Sequence, residues 1–324
     1  VILAYFVYTG LLITQGEQYL PTSEVNRYGI VTDSLGRELG FRDGDKIISV
    51  DGEQVENFYA ITMELLLENP EYVEVERDGK RISVVLPDNA TEKIIKNQTQ
   101  FISYRVPFVI GDFVAGSAAK DAGLQKGDMI IMVNDINTPY YNTFTEEIKQ
   151  FAGQEVNLSV LRGVDTLNFD VKLTNDAKLG VYALNTLEFK TQEYTFTEAI
   201  AQGFNKTGKE LSDYWKQLKL IFNPQNKAYE SLGGFITIGS IFPDTFNWTQ
   251  FWRLTAFLSI ILAVMNILPI PALDGGHVLF LLYEIITRRK PSEKFMEIAQ
   301  SVGLIILLGL LIIANGNDII RLFR

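Results

Sequence analysis

The sequence contains no cysteine and a single histidine, His277. The first absence excludes disulfides and thiolate metal sites but leaves the compartment open, because an oxidising location permits disulfides without requiring them. The second leaves any imidazole-based metal chemistry short of ligands within these residues. Positive charge is also scarce. With 29 Lys and Arg against 39 Asp and Glu, the net charge is −10, so no nucleic-acid partner is expected.

Apolar residues are abundant, at 47% of 324 positions against 21% charged. That balance fits soluble modules alternating with membrane segments, and the length suits two or three domains but no single core. The opening run, Val1 to Thr14, is shorter than the roughly 20 residues that span a bilayer. No basic flank precedes it and no small-residue cleavage site follows, so it reads as the remnant of a transmembrane helix rather than a signal-peptide core.

Apolar residues from Phe251 to Ile267 and from Val278 to Tyr283 bracket Asn266-Ile-Leu-Pro269-Ile-Pro271-Ala-Leu273-Asp274-Gly275-Gly276. A carboxylate at membrane depth is a candidate functional group. Proline lacks the donor N–H and glycine favours irregular backbone, so a continuous helix is not expected here, and a broken backbone in lipid must line a cavity. The bland reading is a kinked helix in which Asp274 caps the helix that follows.

This pattern, Asn266-x-x-Pro269-x-Pro271-x-Leu273-Asp274-Gly275-Gly276-His277, resembles the second signature of the site-2 protease family of intramembrane zinc metalloproteases, in particular its bacterial regulator-of-sigma-E branch. The resemblance implies that Asp274 is a Zn2+ ligand and that Asn266, Pro269 and Pro271 shape the substrate-binding face. Such a site also needs His-Glu-x-x-His, with two imidazoles on one helical face and glutamate as general base. That motif is not in these residues, so no catalytic residue is assigned here and the catalytic helix is expected upstream of Val1. A two-ligand site of Asp274 and His277 is incomplete, and His277 is expected to hydrogen-bond near the motif. Glu284 shares their helical face but reads as a solvated carboxylate.

Between the membrane segments a pattern occurs twice. Leu39-Gly40-Phe41-x-x-Gly44-Asp45 feeds an apolar strand ending at Val50, Phe58 to Leu67 has helical spacing, and Val73, Val75, Ile82 and Val84 alternate about an Asp78-Gly79 hairpin turn. Gly40, Gly44 and Asp45 recur 83 residues later as Gly123, Gly127 and Asp128, and Gly79 recurs as Gly163, which marks a tandem duplication. In the second copy a helix is expected over Thr145 to Phe151.

The second copy resembles a bacterial PDZ domain. PDZ domains bind an extended peptide or chain terminus by strand addition. Gly29, Ile30 and Val31 in the first copy, and Val109, Ile110 and Gly111 in the second, are candidates to frame the grooves, and their apolar side chains serve equally well as core. The resemblance also offers a size filter against bulky substrates as the role of the pair.

From Asp176 to Trp248 the character is helical. Thr195-x-x-Glu198 can cap a helix carrying Ile200, Phe204, Leu211, Trp215, Leu218 and Phe222 on one face, which would lie on the membrane surface or against the PDZ pair. Ser231-Leu-Gly233-Gly234 and the residues to Gly239 resemble the glycine-containing approach to the membrane in the same protease branch. Trp248 and Trp252 stand where an aromatic belt is expected, and Arg288, Arg289 and Lys290 make a cytoplasmic loop by the positive-inside rule. If the last apolar run spans, the C-terminus and the acidic repeats lie outside, with Arg321 and Arg324 weighing slightly against that.

The expected architecture is a multidomain membrane protein with α-helical transmembrane segments and two αβ PDZ domains in tandem. Its parts are the remnant helix at 1–14, PDZ domains at 15–98 and 99–175, a connector at 176–247, the motif-bearing membrane segment and loop at 248–290, and a C-terminal helix at 298–324. The expected activity is zinc-dependent cleavage of transmembrane segments in pre-trimmed membrane proteins, such as anti-sigma factors or remnant signal peptides, in a bacterial inner membrane with the PDZ pair on the periplasmic side. Expected partners are transmembrane substrates, the lipid bilayer and peptide termini. The alternative is a non-catalytic, membrane-anchored tandem-PDZ adaptor. A broken-helix transporter accounts for Asp274 but not for the repeats.

Overall fold

In the computed structural model, which describes residues 1–97, 100–223, 228, 232–243 and 245–323, the chain divides into two units. One comprises residues 19–90 and 99–190, the other 1–18, 91–98 and 191–324. The described elements run α1 (Ile2–Gln15), β1 (Glu17–Tyr19), α2 (Thr22–Val25), β2 (Ile30–Thr32), α3 (Ser34–Glu38), β3 (Lys46–Val50), α4 (Phe58–Leu67), β4 (Tyr72–Arg77) and β5 (Lys80–Val85). Next come α5 (Ala90–Asn97), β6 (Ile102–Tyr104), β7 (Phe108–Phe113), α6 (Ala118–Asp121), β8 (Met129–Val133), β9 (Ile136–Asn137), α7 (Tyr141–Glu147), β10 (Glu155–Arg162), β11 (Asp165–Lys172), β12 (Val181–Ala183) and β13 (Lys190–Gln192). Helices complete the chain: α8 (Phe196–Phe222), α9 (Phe235–Ser240), α10 (Trp248–Ile267), α11 (Asp274–Thr287) and α12 (Glu293–Leu322).

The first unit holds the two copies of the repeat. In the first, β4 and β5 pair antiparallel with Val73 opposite Val84 and Val75 opposite Ile82, and Asp78 and Gly79 both take positive φ in the two-residue turn. In the second, Val156 faces Val171 and Leu158 faces Phe169 across β10 and β11. The alternating side chains bury Ile47, Val73 and Val75 in one copy and Ile130, Leu158 and Val160 in the other. Helix α4 has the expected limits. Helix α7 begins at Tyr141, four residues before the expected start, with Thr143 Oγ1 accepting from the Tyr140 N–H at 3.3 Å, and the chain tightens into a 3₁₀ turn over Ile148–Phe151.

A buried ion pair carries the duplication into three dimensions. Arg77 donates through Nε and Nη2, at 2.7 Å each, to both oxygens of Asp45, and through Nη2 to the Gly40 carbonyl at 2.8 Å. Arg162 repeats the arrangement on Asp128, at 2.7 Å each, and on the Gly123 carbonyl at 3.1 Å. The N–H groups of Arg42 and Gln125 complete the two carboxylates at 2.8 Å. Asp45 is 1% exposed and Asp128 0%, so each is a charge withdrawn from water and balanced by one bidentate guanidinium.

The copies extend further than the expected boundaries. Strand β6 pairs antiparallel with β2, carrying the first copy to Tyr104, beyond the expected junction at residues 98 and 99, which itself lies outside the described residues. Strand β12 pairs with β7 and carries the second copy to Ala183, beyond residue 175. In each copy the first strand of the αβ pattern needs a partner on its outer side, and the chain supplies it after the hairpin.

In the helical unit, Ala4 and Tyr8 of α1, Leu218 of α8, and Ala256, Ile260 and Val264 of α10 share one core. The buried face of α8 matches the expected one only at its C-terminal half, where Leu218 is buried and Leu211 packs against the same core. Ala199, Gly203 and Thr207 are buried, whereas Phe204 is 73% exposed and Ile200 and Trp215 also face outward. The side chain of Phe222 lies outside the described residues. Close helix approach selects small residues: a Cβ on Gly203 would lie 2.1 Å from Thr9 Oγ1. Helices α10 and α12 are long and apolar enough to cross a membrane, and α12 starts at Glu293, five residues before the start of the helix expected at 298–324.

The ion pairs make a definite prediction. Burial alone would raise the Asp128 pKa, but the Arg162 guanidinium and the Gln125 N–H hold it below the ordinary carboxylate value. Its stabilisation is therefore complete above that ordinary value of about 3.9 and is lost as pH falls through the lower folded-state value. Arg162→Met, which leaves a buried carboxylate unpaired, is expected to lower the urea midpoint at pH 7, with the difference from wild type shrinking below about pH 4.

Candidate metal-ligating site at the broken helix

Helix α10 ends at Ile267 because Pro269 and Pro271 cannot donate and disfavour helical backbone in the residues before them. The intervening turn is held by its own peptides: Leu268 N–H donates to Met265 O at 3.2 Å, Ile270 to Leu268 at 2.7 Å, and Leu273 to Ile270 at 2.8 Å. The chain then doubles back on Gly275 and Gly276. A Cβ on Gly275 would lie 2.3 Å from the Leu268 carbonyl oxygen, and one on Gly276 would lie 2.3 Å from the Pro271 Cα. Gly303 of α12 meets the same turn, where a Cβ would lie 2.8 Å from the Ala272 nitrogen.

Asp274 is the first residue of α11. The N-cap position belongs to Leu273, so the aspartate does not cap its own helix as the bland reading required. It is exposed and makes no hydrogen bond or ion pair among the described residues. Asn266, in the last turn of α10, is likewise exposed with a free amide, Pro269 is exposed, and Pro271 is half-buried. The structure thus brings Asn266, Pro269, Pro271 and Asp274 onto one short turn.

His277 stands one helical turn beyond Asp274. Its ring meets Phe280 edge-on at 6.4 Å, and the expected hydrogen bond is not formed among the described residues. Glu284 lies 4.0 Å from Lys290 across the α11–α12 loop, which keeps it with the basic cluster and away from Asp274. Among the described residues no three His, Asp or Glu side chains converge. Zinc needs three protein ligands, so the donors present do not by themselves fit the ion.

Of the two roles expected for the groove candidates, Ile30 and Ile110 take the core one. Ile30 and Ile110 are fully buried core residues. Gly29 turns tightly against Gly44, and Gly111 packs beside Leu184. Ile30 exchanges backbone hydrogen bonds with Asp45 and Gly44, as Ile110 does with Asp128 and Gly127, while β6 and β12 cover the opposite edges that carry Val31 and Val109. Among the described residues neither strand has a free edge for an added peptide. On that side the outermost strands are β6 and β12, while β5 and β11 end the hairpin side of their sheets.

Asp318 escaped the sequence reading. This carboxylate near the end of α12 is 3% exposed, accepts from the N–H groups of Ile236 and Thr237 at 3.0 and 3.1 Å and from the Thr237 hydroxyl, and docks α9 against α12. Asn315 accepts from the Phe235 N–H at 3.2 Å, and Asn317 donates to the Leu232 carbonyl at 3.2 Å. The polar cluster Asn315-Gly-Asn317-Asp318 closing an apolar run was the signal available for it. Ser231 and Arg324 lie outside the described residues.

Peptidase family M50 matches residues 1–310. The chain belongs to this family, that of the site-2 proteases. Its relatives include a protein of Clostridium perfringens named as a candidate zinc metalloprotease, 31% identical over 65% of this chain and 63% of that one, and a similarly named protein of Campylobacter jejuni, 32% identical over 66% and 60%. The regulator of sigma E protease of Haemophilus influenzae is 28% identical over 94% of this chain and 72% of its own. The chain thus spans about three fifths of the first two relatives. Among solved structures, the PDZ domain of the SdrC-like protein of Listeria monocytogenes aligns with 24% of this chain and 87% of its own at 19% identity and a TM-score of 0.23.

Membership of a membrane-embedded family agrees with α10 and α12 as candidate spans. Within the M50 turn, Gly275→Val is expected to displace the start of α11 and to lower the unfolding temperature in detergent by several degrees, an effect of about 3 kcal/mol. Gly309→Ala, where a Cβ meets nothing within 4 Å, should leave it unchanged.

Proposed function

We propose that this chain is part of an intramembrane zinc endopeptidase that cuts the transmembrane segments of membrane proteins already trimmed outside the bilayer, anti-sigma factors or remnant signal peptides among them. One observation carries the proposal: an M50 chain holds an exposed carboxylate, Asp274, without a partner among the described residues, beside a proline-broken turn in an apolar segment. Asp274 supplies one ligand, and residues outside these 324 complete the centre. Bound zinc would polarise the scissile carbonyl and activate water. The exposed Asn266 amide can hold the backbone of an unwound substrate segment, for which Pro269 and Pro271 keep one side of the turn free of competing N–H donors. The loop at Arg288 to Lys290 faces the cytoplasm of a bacterial inner membrane and the repeated αβ copies face the periplasm, following the basic cluster.

In the protein bearing its complete metal centre, Asp274→Asn is expected to lower bound zinc by at least about tenfold, as measured by elemental analysis, and to abolish cleavage of a model transmembrane substrate, while circular dichroism of the αβ unit is unchanged. Full zinc content together with full cleavage would remove Asp274 from the metal shell.

The αβ copies are proposed as PDZ domains that filter substrates by size and accept peptide termini. The open edge of β12 is the better candidate for strand addition, with Tyr182 62% and Leu184 49% exposed beside it. Gly180 accepts from the Val114 N–H within the sheet, so strand alternation turns the Val181 peptide outward. Val181→Pro is expected to weaken binding of a short C-terminal peptide by about tenfold in fluorescence anisotropy, the loss of one backbone hydrogen bond. Undiminished binding would place the peptide on another edge.

A further inference from the structure

Arg253 is the only charged side chain of α10 and stands five residues after its start. It is exposed, yet among the described residues it makes no hydrogen bond or ion pair. Two cavities meet at it. The first, about 370 Å³ and walled by α1, α8 and α10, also contains Glu17, Lys206 and Glu210. There Lys206 is engaged by Glu17, and burial raises the Glu210 pKa against the opposing charge of Lys206. The second cavity, about 610 Å³, has no carboxylate among its described lining residues. Around Arg253 it presents the neutral polar groups of Gln15, Gln18, Thr191, Asn247, Thr249 and Gln250.

A free guanidinium surrounded by amides and hydroxyls is a donor set for phosphate oxygens, which Arg engages with two parallel N–H groups. The depth of the site points to the source of the phosphate. Phe246, Trp248, Phe251 and Trp252 pack ring against ring at the start of α10, with Trp248 edge-on to Phe251 at 5.9 Å and Trp252 edge-on to Phe251 at 5.2 Å. Such clusters mark the headgroup level of a bilayer. At a rise of 1.5 Å per residue, Arg253 lies about 7.5 Å along the helix from Trp248. An arginine at that level, with a polar cavity beside it and apolar helix beyond it, is placed for a molecule having a phosphate at one end and acyl chains at the other.

We propose that the larger cavity at Arg253 binds the phosphate of a membrane phospholipid, with Arg253 as the charged contact and the Gln250 and Gln18 amides as neutral donors. This inference rests on the membrane-embedded character of the family and not on the zinc reading. It concerns no residue of the Asp274 turn.

The test uses the 324-residue chain in detergent, followed by native mass spectrometry and thermal unfolding. Added dioleoyl phosphatidylglycerol is expected to persist as a bound adduct and to raise the unfolding temperature. Dioleoylglycerol, which lacks the phosphate, and glycerol phosphate, which lacks the acyl chains, should do neither at the same concentration. Arg253→Gln is expected to lose at least about tenfold in retained lipid. Arg253→Lys, which keeps the charge, should retain part of the binding and shows that the position tolerates substitution, while Asp274→Asn should bind lipid as the wild type does. Equal lipid retention by Arg253→Gln and wild type would overturn the proposal, as would glycerol phosphate binding as well as the lipid, or a peptide displacing the lipid from the cavity.

Discussion

A helix broken by prolines must find partners for the peptide groups it frees, and the turn from Leu268 to Leu273 finds most of them within or just before itself. Two of its six residues are prolines, which bring no N–H, and three of the four remaining donors bond to carbonyls within or just before the turn. Gly275 and Gly276 then allow α11 to start pressed against those same carbonyls. Asp274 is exposed at this spot, and its side chain is not used to cap the helix it begins. A side chain needed for capping could not also be free for a metal or a substrate.

Much of this was legible because it follows from local chemistry. The prolines and glycines announced the break, Asp78-Gly79 announced a hairpin, and the recurrence of Gly40, Gly44 and Asp45 announced a second copy. What was not legible depended on pairing across space. Asp45 and Asp128 looked like turn residues, and only the fold shows Arg77 and Arg162 reaching them from the end of a strand. Large apolar residues on α8 suggested its buried face and Leu211 and Leu218 do pack inward, but in the first half of the helix Ala199, Gly203 and Thr207, which carry little hydropathy, are the buried residues. Ile30 and Ile110 were candidates for a groove or for core, because resemblance to a PDZ domain does not say which strand edges the rest of the chain covers.

The copies illustrate how duplication can conserve an arrangement while sequence drifts. The offset is 83 residues for the aspartates and 85 for the arginines, so the hairpin of the second copy has lengthened slightly. The guanidinium nevertheless closes on the same two oxygens and the same glycine carbonyl. Each pair closes within its own copy, so neither module relies on the other to neutralise its buried charge.

Asp318 carries a mechanical consequence. A helix lodged among apolar neighbours can ordinarily slide by a turn, about 5.4 Å, at small cost because one leucine replaces another. Helix α12 has no such freedom where it meets α9: any axial slip would strip a buried carboxylate of two N–H groups and a hydroxyl. The carboxylate thus fixes the axial register of α9 against α12. The same helix also passes close to the turn that presents Asp274, where Gly303 lies against the Pro271–Ala272 backbone.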